Sequence, residues 1–211
     1  IYSRQELKRM AEICIENNLI IVSDEIHSEL LLGGATFQPM ATLSREIANR
    51  TVTLISASKT FNVPGLFCAF AIIPNKKLRE QYSETVFKMG IHVSSPGQVA
   101  ARVAYAGDCD SWLRSLRRYL TDNRNWLVDT IWQSMPEVRV TVPDATYLAW
   151  LDFSELKLKP SPFQFFMKQA RVALSDGGRF GMGSEQFVRL NFGTSRKWLE
   201  EGLERMKRAL K

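Results

Sequence analysis

The stretch Thr51–Gly65, T-V-T-L-I-S-A-S-K-T-F-N-V-P-G, constrains this chain more than any other. Its first five residues are rich in β-branched side chains and alternate, the pattern of a short buried strand. Small polar residues follow, Ser56-Ala57-Ser58, and then one lysine, Lys59; Asn62, Pro64 and Gly65 end any regular element just beyond. An amine so placed stands at the end of a sheet, where open α/β sheets bind ligands. A lysine removed from water there loses its proton more readily, and the neutral amine is able to form a Schiff base. From these residues alone, a surface lysine in a loop is an equally good account.

Two further stretches share this design. Ile20-Ile21-Val22-Ser23-Asp24-Glu25-Ile26-His27 is an apolar strand ending in an acid, and Phe187-Val188-Arg189-Leu190-Asn191-Phe192-Gly193 is a strand carrying one charge. Thirty-five positions separate Asp24 from Lys59, enough for a crossover between two strands of one sheet. Taken in order, D-E-I-H-S-E-L, S-A-S-K-T-F-N and F-V-R-L-N-F-G resemble the fold-type I pyridoxal-phosphate (PLP) enzymes of the class I/II aminotransferase superfamily. The resemblance is to their C–S β-lyase branch, the cystathionine β-lyases and cysteine-S-conjugate β-lyases, and it runs along essentially the whole chain.

This resemblance implies an α/β fold. Residues 1–115 would be the C-terminal part of the PLP-binding large domain, a mostly parallel sheet with helices on both faces. Residues 116–211 would form a small α+β domain. The implied activity is elimination of a thiol from cystathionine or a cysteine S-conjugate, leaving pyruvate and ammonia; the alternative is an aminotransferase. The implied cofactor is PLP and the implied partners are an amino-acid substrate and a second copy of the full-length protein, with no nucleic acid and no membrane.

The resemblance also assigns roles. Lys59 is the cofactor lysine and the general base for the substrate's α-proton. Asp24 faces the pyridine nitrogen and keeps it protonated, since an adjacent opposite charge favours the charged form; otherwise it is a loop acid capping nearby amides. Glu25 should point away from its neighbour, because successive side chains diverge at a strand end. His27 stands where many aminotransferases have a tyrosine at the cofactor's phenolic oxygen, and is otherwise a polar residue satisfied at a cleft edge. Ser56 and Ser58 offer hydroxyls to the phosphate. Arg189 is the clamp for the substrate carboxylate, gripping it through two parallel N–H bonds; otherwise it pairs with a protein acid. Tyr147 and Trp150 read as core packing. One departure bears on the branch: many aminotransferases carry an arginine eight positions after the lysine, where this chain has Phe67, and the lyase branch often lacks it.

Composition bounds what remains. Hydrophobic residues at 45% and charged residues at 24% are ordinary for a folded soluble chain. The net charge of +6 is dispersed, and its densest group, Arg114, Arg117, Arg118 and Arg124, has helical spacing among Leu and Trp and reads as a solvated face. Three scattered cysteines, Cys14, Cys68 and Cys109, favour a reducing, cytoplasmic compartment. With only His27 and His92, no metal site is expected. Ile1-Tyr2-Ser3-Arg4-Gln5-Glu6 opens almost directly on an S-x-x-E capping box, an entry expected mid-chain in a longer protein. The 211 residues alone are therefore expected to lack activity.

The periodicity predicts a helix over residues 4–18 with Leu7, Met10, Ala11 and Ile15 on one face. It predicts strands over 19–23, 51–55 and 69–73, a loop or hairpin over 28–40, and a short helix over 41–49. Residues 76–89 read as an amphipathic helix, 98–105 as a helix opened by Pro96, and 110–134 as a long helix joining two domains. Beyond Pro136 the chain reads as strands over 138–142, 147–151, 172–174 and 187–192, with helices over 160–171 and 196–211.

Overall fold

The computed structural model describes residues 1–211, which divide into two compact units, residues 1–115 and 116–211. In the first unit, helix α1 (Arg4–Glu16) is entered through Ser3, whose hydroxyl accepts the Glu6 N–H while the Glu6 carboxylate takes the Ser3 N–H. This reciprocal cap satisfies two donors that a helix start leaves open. Leu7 and Ala11 are buried one turn apart and meet Ile21, Met40 and Ile47, with Met10, Cys14 and Ile15 packed around them. The chain then leaves the helix through Asn18 in the left-handed region, and the Leu19 N–H bonds the Cys14 carbonyl at 2.7 Å. That bond closes the helix, so strand β1 (Ile21–Asp24) begins two residues later than the pattern predicts.

Residues 28–40 are loop and not hairpin, turning at Gly33 and Gly34, both at positive φ, with Leu30 and Leu32 tucked inside. Helix α2 (Arg45–Asn49) returns the chain to β2 (Thr51–Ile55), which lies parallel to β1 with Asp24 opposite Leu54. One-turn helix α3 (Ala57–Thr60) follows, then β3 (Phe70–Ile72), which pairs antiparallel to β2. The three-stranded sheet, in the order β1-β2-β3, is thus mixed. Helix α4 (Lys76–Lys88) buries no residue, and Phe87 stands 80% exposed, so its predicted apolar face has no cover in this unit. Helix α5 (Ser95–Tyr105) begins with Pro96 in its first turn and presses Gly97 against the turn at 64–66; a Cβ there would meet the Leu66 carbonyl at 2.4 Å.

Helix α6 (Asp110–Ser134) runs through the division between the units. In the second unit, β4 (Arg139–Val140), β5 (Leu148–Asp152), β6 (Ser175–Asp176) and β7 (Phe187–Asn191) form one antiparallel sheet in the order β4-β5-β7-β6. Strand alternation sends Ala149, Leu151, Val188 and Leu190 to one face, where they join Leu127, Ile131, Phe153 and Phe166 among the buried apolar residues. Helices α7 (Pro162–Gln169) and α8 (Arg196–Ala209) complete the unit, the latter burying Leu199, Leu203 and Met206 at helical spacing. The strand predicted at 172–174 is displaced: Arg171 takes a left-handed conformation and the Val172 N–H bonds the Phe166 carbonyl at 3.2 Å, closing α7. Val172 therefore has no N–H left for a ladder, and pairing starts at Ser175.

Asn123, wholly buried on α6, ties these parts together. Its amide donates to the Phe192 and Thr194 carbonyls at 3.1 and 2.9 Å, and its oxygen accepts from Arg196 Nε at 3.0 Å. Asn123→Ala leaves two carbonyls and a guanidinium nitrogen without this partner. The expected cost is roughly 1–3 kcal/mol, read as a lowered urea midpoint with an unchanged denaturant slope.

Candidate functional site

Parallel pairing sends the C-terminal ends of β1 and β2 out on the same side of the sheet, and five of the six candidate residues lie on the segments that leave it. Asp24 is the last residue of β1 and is exposed; its Oδ1 accepts the Ile26 N–H at 3.2 Å, forming a tight turn. Glu25 turns the other way and is buried, accepting the Ser23 hydroxyl at 2.9 Å and the Met40 N–H at 3.2 Å. The two neighbouring acids therefore differ in kind, one holding the fold and the other presented outward. His27 follows in the same turn, half-buried.

After β2, Ser56 caps α3. Its oxygen accepts the Ser58 N–H at 3.1 Å, and its proton goes to the Cys68 carbonyl at 2.6 Å. Ser56 is buried, shapes the lysine's turn through these bonds, and also lines the cavity beside it. The Ser58 hydroxyl lies 2.9 Å from Ser56 Oγ and is half-buried. Lys59 stands on the exposed side of the same turn and forms no ion pair. Thr60, the next residue, is buried with its hydroxyl oxygen unbonded.

A cavity of about 620 Å³ opens beside this turn, lined by Ile26, Ser58, Cys68, Ala71 and His92 among others. Asp24 borders a different hollow, of about 400 Å³, with Tyr2, Phe37 and Gln38. The unit thus brings Ser56, Ser58 and Lys59 onto one turn and places Asp24 and His27 on the adjoining strand end. Phe67, eight residues after the lysine, sits in the left-handed region and is 81% exposed. Tyr105 packs edge-on against Phe61 and Phe70; burial, then the negative charges of Glu29 and Cys68, push its hydroxyl up to about 12, so it stays a neutral donor at working pH.

Arg189 belongs to the second unit. Strand parity places it on the face opposite the core, opposite Trp150 on β5 and Ser175 on β6. Its Nε is buried without a hydrogen-bond partner, and no acid pairs with it. Tyr147 and Trp150 are half-buried rather than core residues: Trp150 stacks on Phe187, and burial pushes the Tyr147 hydroxyl up, partly offset by the nearby Arg189 charge. Phe180, whose ring covers Arg189, carried no sequence signal beyond its glycine-rich surroundings. His92 was equally silent, a lone histidine in a connecting segment. The outward parity of Trp150, by contrast, was readable from the alternation of β5.

The family described as aminotransferase class I and II matches residues 1–206. The chain belongs to that family. Among curated relatives, this aminotransferase-family chain is similar to cystathionine beta-lyase PatB of Bacillus subtilis, 38% identical over 210 residues, which are 99% of this chain and 54% of the relative. It is also 34% identical to protein MalY of Escherichia coli, over 96% of this chain and 52% of that protein. Among solved structures, cystalysin of Treponema denticola, which contains a pyridoxal 5'-phosphate cofactor, superposes with a TM-score of 0.94 at 28% identity, over 100% of this chain and 54% of that one. The chain spans about half the length of the curated relatives it matches.

The two serines make a separable prediction. Ser56→Ala removes a helix cap and the bond to the Cys68 carbonyl, and should lower stability by roughly 1–2 kcal/mol. Ser58→Ala should shift it by less than about 0.5 kcal/mol. Thermal or urea unfolding followed by circular dichroism distinguishes them.

Proposed function

We propose that the protein carrying this chain is a PLP-dependent C–S β-lyase acting on cystathionine or a related cysteine S-conjugate. The observation that carries the reading is the Ser56-capped turn, which presents an amine without an ion pair beside the strand end bearing Asp24. The donor set of the first unit fits the cofactor: an amine without an ion pair, a carboxylate with no cation against it, and a second hydroxyl on the lysine's turn. When bound, PLP supplies an electron sink for the pair left at the substrate's α-carbon.

The chain's own residues would do the rest. Lys59 anchors the cofactor, then takes the α-proton onto its amine as a general base. Asp24 holds the proton on the ring nitrogen by charge. Ser58 donates its hydroxyl to the phosphate, and His27 donates at the edge of the ring. Arg189 grips the α-carboxylate and so fixes which bond stands in line for cleavage. The names of the relatives and Phe67 in place of an arginine favour elimination of a thiol over amino transfer. Three unpaired cysteines suit a cytoplasmic enzyme, and a homodimer of the full-length protein is the assembly this reading takes.

Full-length holoenzyme incubated with cystathionine should release thiol and pyruvate without any keto acid. Strict dependence on an added keto acid would instead mean an aminotransferase. Borohydride reduction of the same holoenzyme followed by peptide mapping should put the cofactor label on Lys59; a label on Lys76 or Lys77 overturns the assignment. Asp24→Asn should keep PLP bound and lose turnover. The ring nitrogen then lacks the charge that favours its protonated form, and turnover should fall by roughly two to four decades. Near-normal turnover would show that Asp24 is not the ring's partner.

Residues 1–211 alone should bind PLP weakly and not turn over. Both outer strands of the first sheet present apolar side chains to solvent, Val22 at 65% and Ile72 at 51% exposure, a surface that invites association. A visible absorbance spectrum with added PLP and a pyruvate assay on the purified chain check this directly.

A further inference from the structure

The guanidinium of Arg189 carries a cover. Its central carbon lies 4.8 Å from the ring centroid of Phe180. Phe180 in turn packs edge-on against Trp150 at 5.4 Å, and Trp150 stacks on Phe187 at the same separation. The side chain's one hydrogen bond is long, from Nη2 to the Ser175 hydroxyl at 3.4 Å. A cation with a buried, unbonded N–H and no anion is unfavourable in isolation. A ring over its face offsets part of that cost by cation–π attraction.

The segment bearing Phe180 is closely packed at one end and open to solvent at the other. Within G-G-R-F-G-M-G, residues 177–183, a Cβ at Gly177 would meet the Phe187 and Ser184 carbonyls at 2.3 Å, so the turn is pinned to β7 there. Past Phe180, Gly181 and Gly183 stand at φ 137° and 85° with nothing within 4 Å of a Cβ, and Met182 is fully exposed.

We propose that Phe180 is the specificity-determining residue of the Arg189 subsite: its ring covers one face of the half-buried guanidinium and limits its hydration, so that a small α-carboxylate is favoured there over a neutral carboxamide. The inference rests on the reading that Arg189 takes the substrate carboxylate. A carboxylate replaces lost hydration with two charge-assisted bonds, whereas a carboxamide leaves a sheltered cation without a counter-charge. With the ring removed, water and salt reach the guanidinium and the distinction fades.

The test uses full-length PLP-loaded enzyme and two unreactive probes, methylthiopropionate and its carboxamide, which lack the amine and bind without chemistry. Dissociation constants are measured by equilibrium titration at low and high salt for wild type, Phe180→Ala, Phe180→Leu and Arg189→Ala. Phe180→Ala should weaken the carboxylate roughly three- to thirtyfold, steepen its salt dependence, and leave the carboxamide unchanged. Phe180→Leu, an apolar cover without the ring, should fall between, and it carries the comparison by itself should the alanine variant not fold. An unchanged acid-to-amide ratio and salt slope in both Phe180 variants, with carboxylate binding lost in Arg189→Ala, overturns the role of Phe180 and keeps that of Arg189. Carboxylate binding unchanged in Arg189→Ala overturns both.

Discussion

The parallel pairing of β1 with β2 is the constraint on which the candidate site depends. The Glu25 N–H bonds the Leu54 carbonyl at 2.9 Å just past the last paired residue, so the two strands end level with each other. Asp24, His27, Ser56, Ser58 and Lys59 all follow from those ends. A slip of one residue would exchange the faces of Asp24 and Glu25, since side chains alternate along a strand. The buried Glu25, held by the Ser23 hydroxyl and the Met40 N–H, opposes such a slip and keeps Asp24 turned outward.

The same alternation governs the second unit. An arginine in the middle of a strand between Val188 and Leu190 would be costly if both faces were buried. Only one is: Val188 and Leu190 enter the core, and Arg189 stands on the other face with Trp150 and Ser175 as cross-strand neighbours. Its exposure to aromatic rings rather than to an acid leaves a positive charge uncommitted, a feature shared with Lys59. Both cations that the proposed chemistry needs are thus held by backbone geometry and not by salt bridges.

In each unit a buried polar side chain fixes the backbone of a neighbouring segment. Ser56 shapes the turn of Lys59 by bonding the Ser58 N–H and the Cys68 carbonyl, and Asn123 fastens the chain just beyond β7 through the Phe192 and Thr194 carbonyls. Their contribution is to narrow the conformations of the segments that present Lys59 and follow Arg189.

The sequence by itself determined the strands around Asp24, Lys59 and Arg189, the limits of α6 and the buried stripe of α1, because period-two and period-3.6 patterns report directly on which side of an element is dry. It also identified the family, since three short motifs in order are specific where each alone is not. Strand ends at Leu19 and Val172 were misplaced because their N–H groups close the preceding helices, an exchange of hydrogen bonds that local propensity does not reveal. Only the tertiary structure decided that β3 runs antiparallel, that the Ser56 proton points inward, and that Trp150 and Phe180 gather at Arg189. Each of these depends on residues distant in sequence, such as Cys68 for Ser56 and the 177–183 turn for Arg189, and long-range contacts of that kind leave no periodic trace.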